Sequence, residues 1–484
     1  MSSEKQSITE ADHLPKKGDE LELTIESLAY GGQGVARHDG FVIFIKRGAV
    51  PGSKVRAVLT RKRKGFGEGR ILEVLEQAPT TLDPPCTHFG ICGGCSTQNM
   101  DYTAQLEQKQ AQVRDLYKRM GHLEDVDLRP IIGCDQIYNY RNKMEFTFSN
   151  RGWVESKDDL DNAPDRVVGL HIPGRFDKIL PIETCHIQHP LGNRILQLVA
   201  GYFAESDLKP WDVKKHTGYL RHLVIRVAKA VTEQPEIMVN FVTAYEAPDK
   251  LKPLADQLAV EIPEIVSVVN NINTRLGATA YGEYEIVMHG KPMIQEALGG
   301  LIFDISSNSF FQTNTAQAEL LYGEIKKACN LSGDEVVFDL YSGTGSIGLT
   351  LAAGANQVYG FESVSSAIED AARNALLNEV YNARFFQANL EAKYFTGQGK
   401  KFWKQVETPD IIVIDPPRAG MHPKLVTEVA EMAAKRIVYV SCNPATQVRD
   451  VGLLAEAGYR IVYLQPVDMF PHTPHIENIC LLER

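Results

Sequence analysis

The chain of 484 residues is too long for one ordinary domain and, at roughly 150 residues per domain, requires about three. Its 44% hydrophobic and 23% charged residues exclude a disordered chain, while a polar opening and the lack of any run of about 18 apolar residues argue against a secretory leader or membrane span, so a cytoplasmic protein is expected. A formal charge of −10 argues, as an average, against a nucleic-acid partner, and eight cysteines in a reducing compartment read as ligands, nucleophiles or core residues rather than a disulfide framework.

Residues 15 to 76 read as short strands broken by turn residues: ELELTIESLA, the turn Tyr30-Gly31-Gly32-Gln33-Gly34, then GVARHDG, FVIFIKR and KVRAVLTRKRKGFGEGRILEVLE. This pattern predicts a small five-stranded barrel of the oligonucleotide-binding kind. Between Lys46 and Arg70 stand nine basic residues, Lys46, Arg47, Lys54, Arg56, Arg61, Lys62, Arg63, Lys64 and Arg70, against one acid, Glu68. Such a run also suits a solvated hairpin with no partner. Phe66, set between glycines beside the charges, favours nucleic acid, because exposed aromatics stack on bases.

Pro84 and Pro85 mark a boundary, followed by a cysteine-rich loop and the helical stretch TAQLEQKQAQVRDLYKRMG. Within the loop, Cys86, Cys92 and Cys95, with Cys185 far downstream, supply four thiols that one metal centre could gather. From spacing alone a closed zinc site competes with a cluster, and thiolate softness does not separate them. Residues 130 to 300 alternate in strand-like fashion, as in LVIRVAKA, PEIMVNFVTA and VSVVNNIN, with few helical signals, and predict an α+β segment. Arg141, Asn142 and Lys143 suit RNA contacts and strand-edge polar positions equally. Cys134, Cys329 and Cys480 read as packing residues.

From about residue 310 strands alternate with helices: VVFDLYSG, VYGFES, ARFFQANL, DIIVIDPPR and RIVYVSCNP, then a strand pair ending in ENICLLER. That alternation predicts a parallel, doubly wound α/β sheet of the Rossmann kind. The expected domains are therefore a barrel over 14–77, a central α+β domain over 78–305 and an α/β domain over 306–484.

Strand VVFDL runs into Tyr341-Ser342-Gly343-Thr344-Gly345-Ser346-Ile347-Gly348, with Asp339 just before the turn. The next strand ends at Glu362, placed to hold a ribose diol, while the glycines let a ligand approach the backbone. A nicotinamide site and a packing-only glycine turn share this pattern. Asp415-Pro416-Pro417-Arg418, at the end of DIIVI, argues against nicotinamide: a carboxylate and stiff prolines at a carboxyl strand end are what methyltransferases place beside the transferred methyl.

RIVYVS delivers Cys442 to the next carboxyl strand end, in Ser441-Cys442-Asn443-Pro444. A lone cysteine is usually a small core residue, but here it would face the same crevice as Asp415. Near the C-terminus, in Phe470-Pro471-His472-Thr473-Pro474-His475-Ile476-Glu477, Glu477 opens the last strand and could return to that crevice as a base. A surface strand position is the alternative.

With these motifs the chain resembles the uracil-C5 RNA methyltransferase family, most closely its 23S ribosomal RNA members, which carry an N-terminal TRAM domain and an iron-sulfur cluster. The match covers almost the whole chain and is most specific at SFFQTN (309–314), DLYSGTGSIGL (339–349), DPPRAG (415–420), VSCNP (440–444) and HTPHIE (472–477). The resemblance implies S-adenosylmethionine as cofactor, contacted by Gln312, Tyr341, Ser346, Glu362, Asn389 and Asp415; Ser346 stands where relatives often have asparagine. It implies Cys442 as nucleophile and Glu477 as base, a four-iron, four-sulfur cluster on Cys86, Cys92, Cys95 and Cys185, and RNA, foremost 23S ribosomal RNA, as partner. A monomer with no membrane partner is expected.

A thiolate suits this chemistry because C5 of uracil is too electron-poor to attack a sulfonium methyl until a nucleophile adds at C6. Three rivals differ from this reading. An RNA cytosine-C5 methyltransferase would carry a Pro-Cys nucleophile on the preceding loop, which here reads DPPR. A transfer-RNA uracil enzyme is expected to lack the barrel and the cysteines. A non-catalytic RNA-binding iron-sulfur protein would have broken catalytic motifs, and these are intact.

Overall fold

A computed structural model describes residues 14–484 except 122, 124, 157–160, 162, 230, 232–233, 278 and 391–405. Two compact units emerge: residues 1–90, 94–115 and 470–475 form one, and residues 91–93, 116–469 and 476–484 the other.

In the first unit, strands β1 (Glu20–Thr24), β2 (Ser27–Leu28), β3 (Gly34–His38), β4 (Phe41–Ile45), β5 (Lys54–Lys62) and β6 (Phe66–Glu76) are ordered β1-β5-β6-β4-β3-β2. β1 and β2 are two halves of one bent run. Ile25 donates its N–H to Ser53 and Glu26 donates to Val35, so the first half pairs with β5, the second with β3, and the ladder returns on itself. The expected five-stranded barrel results, since closure removes the exposed edges of so small a sheet. Its core holds Leu23, Ile25, Ile43, Ile45, Val55 and Leu59, which alternate with less buried positions along β4 and β5. The predicted helix is α1 (Tyr102–Gly121).

The second unit contains two large sheets. Strands β7 (Lys143–Ser149), β8 (Val167–Ile172), β9 (Arg175–Pro181), β10 (Leu220–Ala228), β11 (Glu236–Thr243), β12 (Ile265–Ile272) and β13 (Tyr284–Gly290) are ordered β13-β12-β11-β10-β7-β8-β9. Helices α2 (Pro190–Glu205) and α3 (Lys252–Glu261) cover one face. Ile195, Leu196, Val199 and Phe203 of α2 and Leu254 and Leu258 of α3 pack there on Phe146, Phe148, Leu223, Ile225, Val239 and Phe241. The strand-like reading of this region passed over both helices, whose apolar stripes sit among longer apolar strands. On the other face the register sets Arg226 opposite Lys143 and His222 opposite Thr147, so that side is polar.

A hairpin, β14 (Ile294–Leu298) and β15 (Leu301–Ile305), turns at Gly299 and Gly300 and leads through SFFQTN into α4 (Thr315–Cys329). The doubly wound sheet follows: β16 (Val336–Leu340), α5 (Ser346–Ala352), β17 (Gln357–Glu362), α6 (Ser365–Leu377), β18 (Ala383–Gln387), β19 (Ile411–Ile414), α7 (Pro423–Glu431), β20 (Arg436–Ser441), α8 (Pro444–Glu456), β21 (Arg460–Val467) and β22 (Glu477–Glu483). The order is β18-β17-β16-β19-β20-β22-β21. β16 through β20 are parallel; β16, β17, β19 and β20 are buried on both faces and mostly apolar, whereas β18, at the edge, is partly exposed. β22 runs antiparallel between β20 and β21. The order reverses at β16 and β19, which opens a crevice at their carboxyl ends. Among the described residues no helix is long and apolar enough to cross a membrane.

Candidate active site

The crevice floor is the glycine turn after β16. Tyr341, Gly343 and Gly345 have φ of +64°, +53° and +82°. A side chain at Gly345 would come within 2.8 Å of Phe385, whereas a Cβ at Gly343 would meet nothing within 4 Å, so a ligand can approach the main chain there. Tyr341, a non-glycine in left-handed backbone, is strained, and such strain gathers at functional sites. Its N–H and that of Ser342 both donate to the Phe361 carbonyl, at 2.9 and 3.1 Å, locking the turn onto β17.

Glu362, ending β17, accepts from the Gly343 N–H at 3.2 Å and from the Ser363 and Val364 N–H groups at 2.6 and 2.9 Å. Ser346 opens α5 with its hydroxyl 2.8 Å from that of Tyr322. Buried Asp339 accepts from the Gly348 N–H at 2.9 Å, while its second oxygen and the hydroxyls of Ser342 and Thr344 are buried without a partner. Such concentrated, unanswered polarity marks a site made for something else to bind.

The crevice walls come from neighbouring strand ends. β19 and β20 pair in register, Ile414 with Tyr439, so Asp415 and Cys442 leave the sheet on the same edge. Asn443, the N-cap of α8, donates its side-chain N–H to the Arg418 carbonyl at 2.9 Å, and the Thr446 hydroxyl donates to the same oxygen at 3.3 Å. The DPPR and SCNP loops are thereby tied together. Ser441 pairs with Asn478 across the antiparallel β20–β22 ladder, which makes Cys442 and Glu477 the next facing positions.

Electrostatics bind these groups into one cluster. Burial pushes the Cys442 thiol up to about 12, the negative charge of Glu477 and Asp415 adds to the effect, and Arg418 opposes it. Burial likewise holds the Glu477 carboxyl, 6% exposed, well above the carboxylate range, with Asp415 raising it and Arg418 lowering it. Asp415 is raised to about 7 by burial, and Asp339 to about 8 by burial and by the charges of Asp415 and Glu362. Buried acids that raise one another accommodate a cation.

The other expected site residues are spread more widely. Gln312 is half-buried just before α4, and its carbonyl accepts from Asn142. Asn389 is exposed just beyond β18. Cys92 and Cys185 pack against the core under the middle sheet. Among the described residues no three His, Cys, Asp or Glu side chains form a group able to hold a metal ion. Cys134, Cys329 and Cys480 are buried, as packing residues should be. The trio at 141–143 divides: Lys143 pairs with Glu145 at 2.7 Å, the Arg141 Nε–H donates to the Lys143 carbonyl at 2.9 Å, and Asn142 is buried, which corrects its reading as an RNA contact or edge residue.

Two residues of the cluster escaped the sequence reading. Arg418 sits inside the quoted DPPR motif, so its charge beside two predicted acids was the available signal. Tyr322 belongs to the buried stripe Ala318, Leu321, Tyr322 and Ile325 of α4, where a tyrosine reads as core.

A family model for tRNA (uracil-5-)-methyltransferase matches residues 283–484, and a TRAM-domain model matches residues 16–72. An uncharacterized RNA methyltransferase of Chlorobaculum tepidum is 39% identical over 475 residues, spanning 97% of each chain. One of Bacteroides thetaiotaomicron is 40% identical over 459 residues, 94% of this chain and 100% of its own. Among solved structures, the Pyrococcus abyssi tRNA (uracil-54, C5)-methyltransferase in complex with S-adenosyl-L-homocysteine aligns at a TM-score of 0.70 and 28% identity, covering 96% of this chain and 100% of that one.

Proposed function

Because the chain belongs to the RNA uracil-5-methyltransferase family, we propose that it methylates C5 of a uracil in 23S ribosomal RNA, with S-adenosylmethionine as donor, Cys442 as nucleophile and Glu477 as base. The observation that carries this reading is the meeting of Cys442, Asp415 and Glu477 at neighbouring strand ends. The cofactor suits the crevice: Glu362 ends β17 where a ribose diol would be held, and Asp339 and Asp415 are buried carboxyls that a bound sulfonium or ammonium would draw into their charged form. Gln312, Tyr341, Ser346 and Asn389 are the further contacts the family likeness assigns. When bound, S-adenosylmethionine supplies an electrophilic methyl group.

The chain's own residues do the rest. Cys442 Sγ, as thiolate, adds to C6 of the uracil, and the C5=C6 pair moves to give an enolate with carbanion character at C5. Once C5 carries the methyl, Glu477 as carboxylate takes the C5 proton. The C5–H pair re-forms the double bond, and Sγ leaves as thiolate. Burial favours the protonated form of both groups, so positive charge in the crevice, to which Arg418 contributes, favours the reactive forms. The uracil must leave its stack to reach this depth, and the basic barrel would hold the neighbouring nucleotides.

The cysteine set supports the ribosomal substrate through its likeness to the iron-sulfur members of the family. Four thiolates are the donor chemistry of a four-iron, four-sulfur cluster, here on Cys86, Cys92, Cys95 and Cys185. No reaction step is assigned to it. A transfer-RNA uracil is the second reading, favoured by the alignment with the Pyrococcus abyssi enzyme: at 96% coverage it takes in the barrel, which therefore does not separate the two substrates.

Incubation with labelled S-adenosylmethionine and equimolar unmodified 23S and transfer RNA tests this. 5-Methyluridine in 23S RNA is expected. Label confined to transfer RNA establishes the second reading, and label on neither overturns both. Protein purified without oxygen should carry about four irons with matching sulfide; zinc instead would overturn the cluster.

A further inference from the structure

We propose that Asn142 is a positioning residue for Gln312, holding the main chain of the SFFQTN loop from beneath so that the Gln312 side chain keeps its working place. This rests on the proposed role of Gln312 as a cofactor contact. Asn142 directly precedes β7 and is 8% exposed. Its backbone N–H donates to the Thr313 carbonyl at 2.9 Å, and its side-chain Nδ2 donates both to the Gln312 carbonyl at 3.0 Å and to the Thr315 hydroxyl at 2.8 Å. One buried residue therefore grips three of four consecutive positions.

The grip is itself anchored. The Asn142 carbonyl accepts from the Val227 N–H at 2.8 Å, next to Arg226, whose guanidinium donates to the Ser309 carbonyl at 2.8 Å. The Thr315 hydroxyl in turn donates a hydrogen bond to fully buried Glu296 at 2.9 Å, which also accepts the Lys229 N–H at 2.7 Å. The loop is thus tied at Ser309 by Arg226 and at 312–315 by Asn142. Between the ties Phe310 is 62% exposed, while Phe311 is buried against Phe303, so packing fixes the loop at Phe311 and the hydrogen bonds of Asn142 fix the main chain that follows it. An asparagine suits the position because only an amide nitrogen supplies two donors on so short a side chain.

A double-mutant cycle on the full-length protein tests this. Asn142→Asp keeps the shape but replaces the donor with an acceptor facing a carbonyl, and should lower kcat/KM for methyl transfer by roughly tenfold or more. In a Gln312→Ala background the same change should cost less than about twofold, because the residue being positioned is gone. Equal losses in both backgrounds would overturn the proposal. Asn142→Ser, which introduces no buried charge, repeats the cycle if Asn142→Asp does not fold, with the same two outcomes. An inactive wild-type protein would instead refute the methyltransferase reading.

Discussion

Ser441 and Asn478 are the last cross-strand partners of β20 and β22, and the next positions in that register are Cys442, just beyond β20, and Glu477, which opens β22. The proposed nucleophile and the proposed base thus stand at the ends of a single pair of strands, and the hydroxyl of Tyr439, within β20, donates to Asp450 at 2.6 Å. Glutamine at 477 keeps the shape and loses the proton acceptor, so the reaction should stall after Cys442 has bonded to C6. Glu477→Gln is expected to lower turnover by about 100-fold or more and to accumulate an RNA–protein adduct that survives denaturing electrophoresis. Introducing Cys442→Ala should abolish the adduct. Normal turnover in Glu477→Gln would remove this residue from the mechanism.

The Cys442 thiol, pushed up to about 12 by burial and by Glu477 and Asp415, should be sluggish toward iodoacetamide at neutral pH. Because the thiolate is the reactive form, its alkylation should climb about tenfold per pH unit from 7 to 9 without levelling. S-Adenosylmethionine, a cation, should raise the thiolate fraction more than neutral-sulfur S-adenosylhomocysteine does. A plateau near pH 8.5 in the ligand-free protein, followed by peptide mapping at Cys442, would mean that the cluster does not restrain the thiol.

Asp339 has a folded-state value raised to about 8 from 3.8, chiefly by burial. A carboxyl raised on folding is favoured in its neutral form. Its contribution is full below the unfolded value and is lost as pH rises through the folded one. Asparagine stays neutral throughout, so the melting temperature of Asp339→Asn relative to wild type should improve by at least about 2–4 °C between pH 5 and pH 9. A constant difference across that range would show that Asp339 is ionised in the fold at pH 5.

Lys62, Arg63 and Lys64 stand exposed at the β5–β6 hairpin, beside Phe66 at 37% exposure, whereas Lys46 and Arg61 lie against Glu68. Replacing the three with alanine should weaken RNA binding and flatten the dependence of log affinity on log salt by about 2, near 0.7 per charge for single strands. Binding of S-adenosylmethionine should be unchanged. An unaltered salt slope would assign the hairpin to solvent.

The doubly wound half was legible because each parallel strand is an apolar run ending in chemistry: VVFDL before the glycines, DIIVI before Asp415, RIVYV before Cys442. The barrel was legible from alternation and turn residues, although the break at Ile25 and Glu26 that closes it has no local signature. Less could be read where pairing is non-local. Nothing near β22 states that it inserts between β20 and β21, although the unbroken burial of Glu477 to Leu482, against exposed Arg460 on β21, reflects its inner place. Nor does HTPHIE reveal that Phe470–His475 joins the N-terminal unit, where the His472 N–H donates to Gln105 at 3.0 Å and its carbonyl accepts from Ser96 at 2.8 Å. Asn142 looked like a surface polar residue because its partners lie about 170 residues away in the chain.

The central claim is that Cys442 makes C5 of a uracil reactive. Mass spectrometry of nucleosides from RNA treated with S-adenosylmethionine and either wild-type protein or Cys442→Ala tests it most directly. The account predicts 5-methyluridine with the wild type and none with a folded Cys442→Ala. Undiminished 5-methyluridine with the variant, or a methyl on ribose or on another base with the wild type, would contradict it.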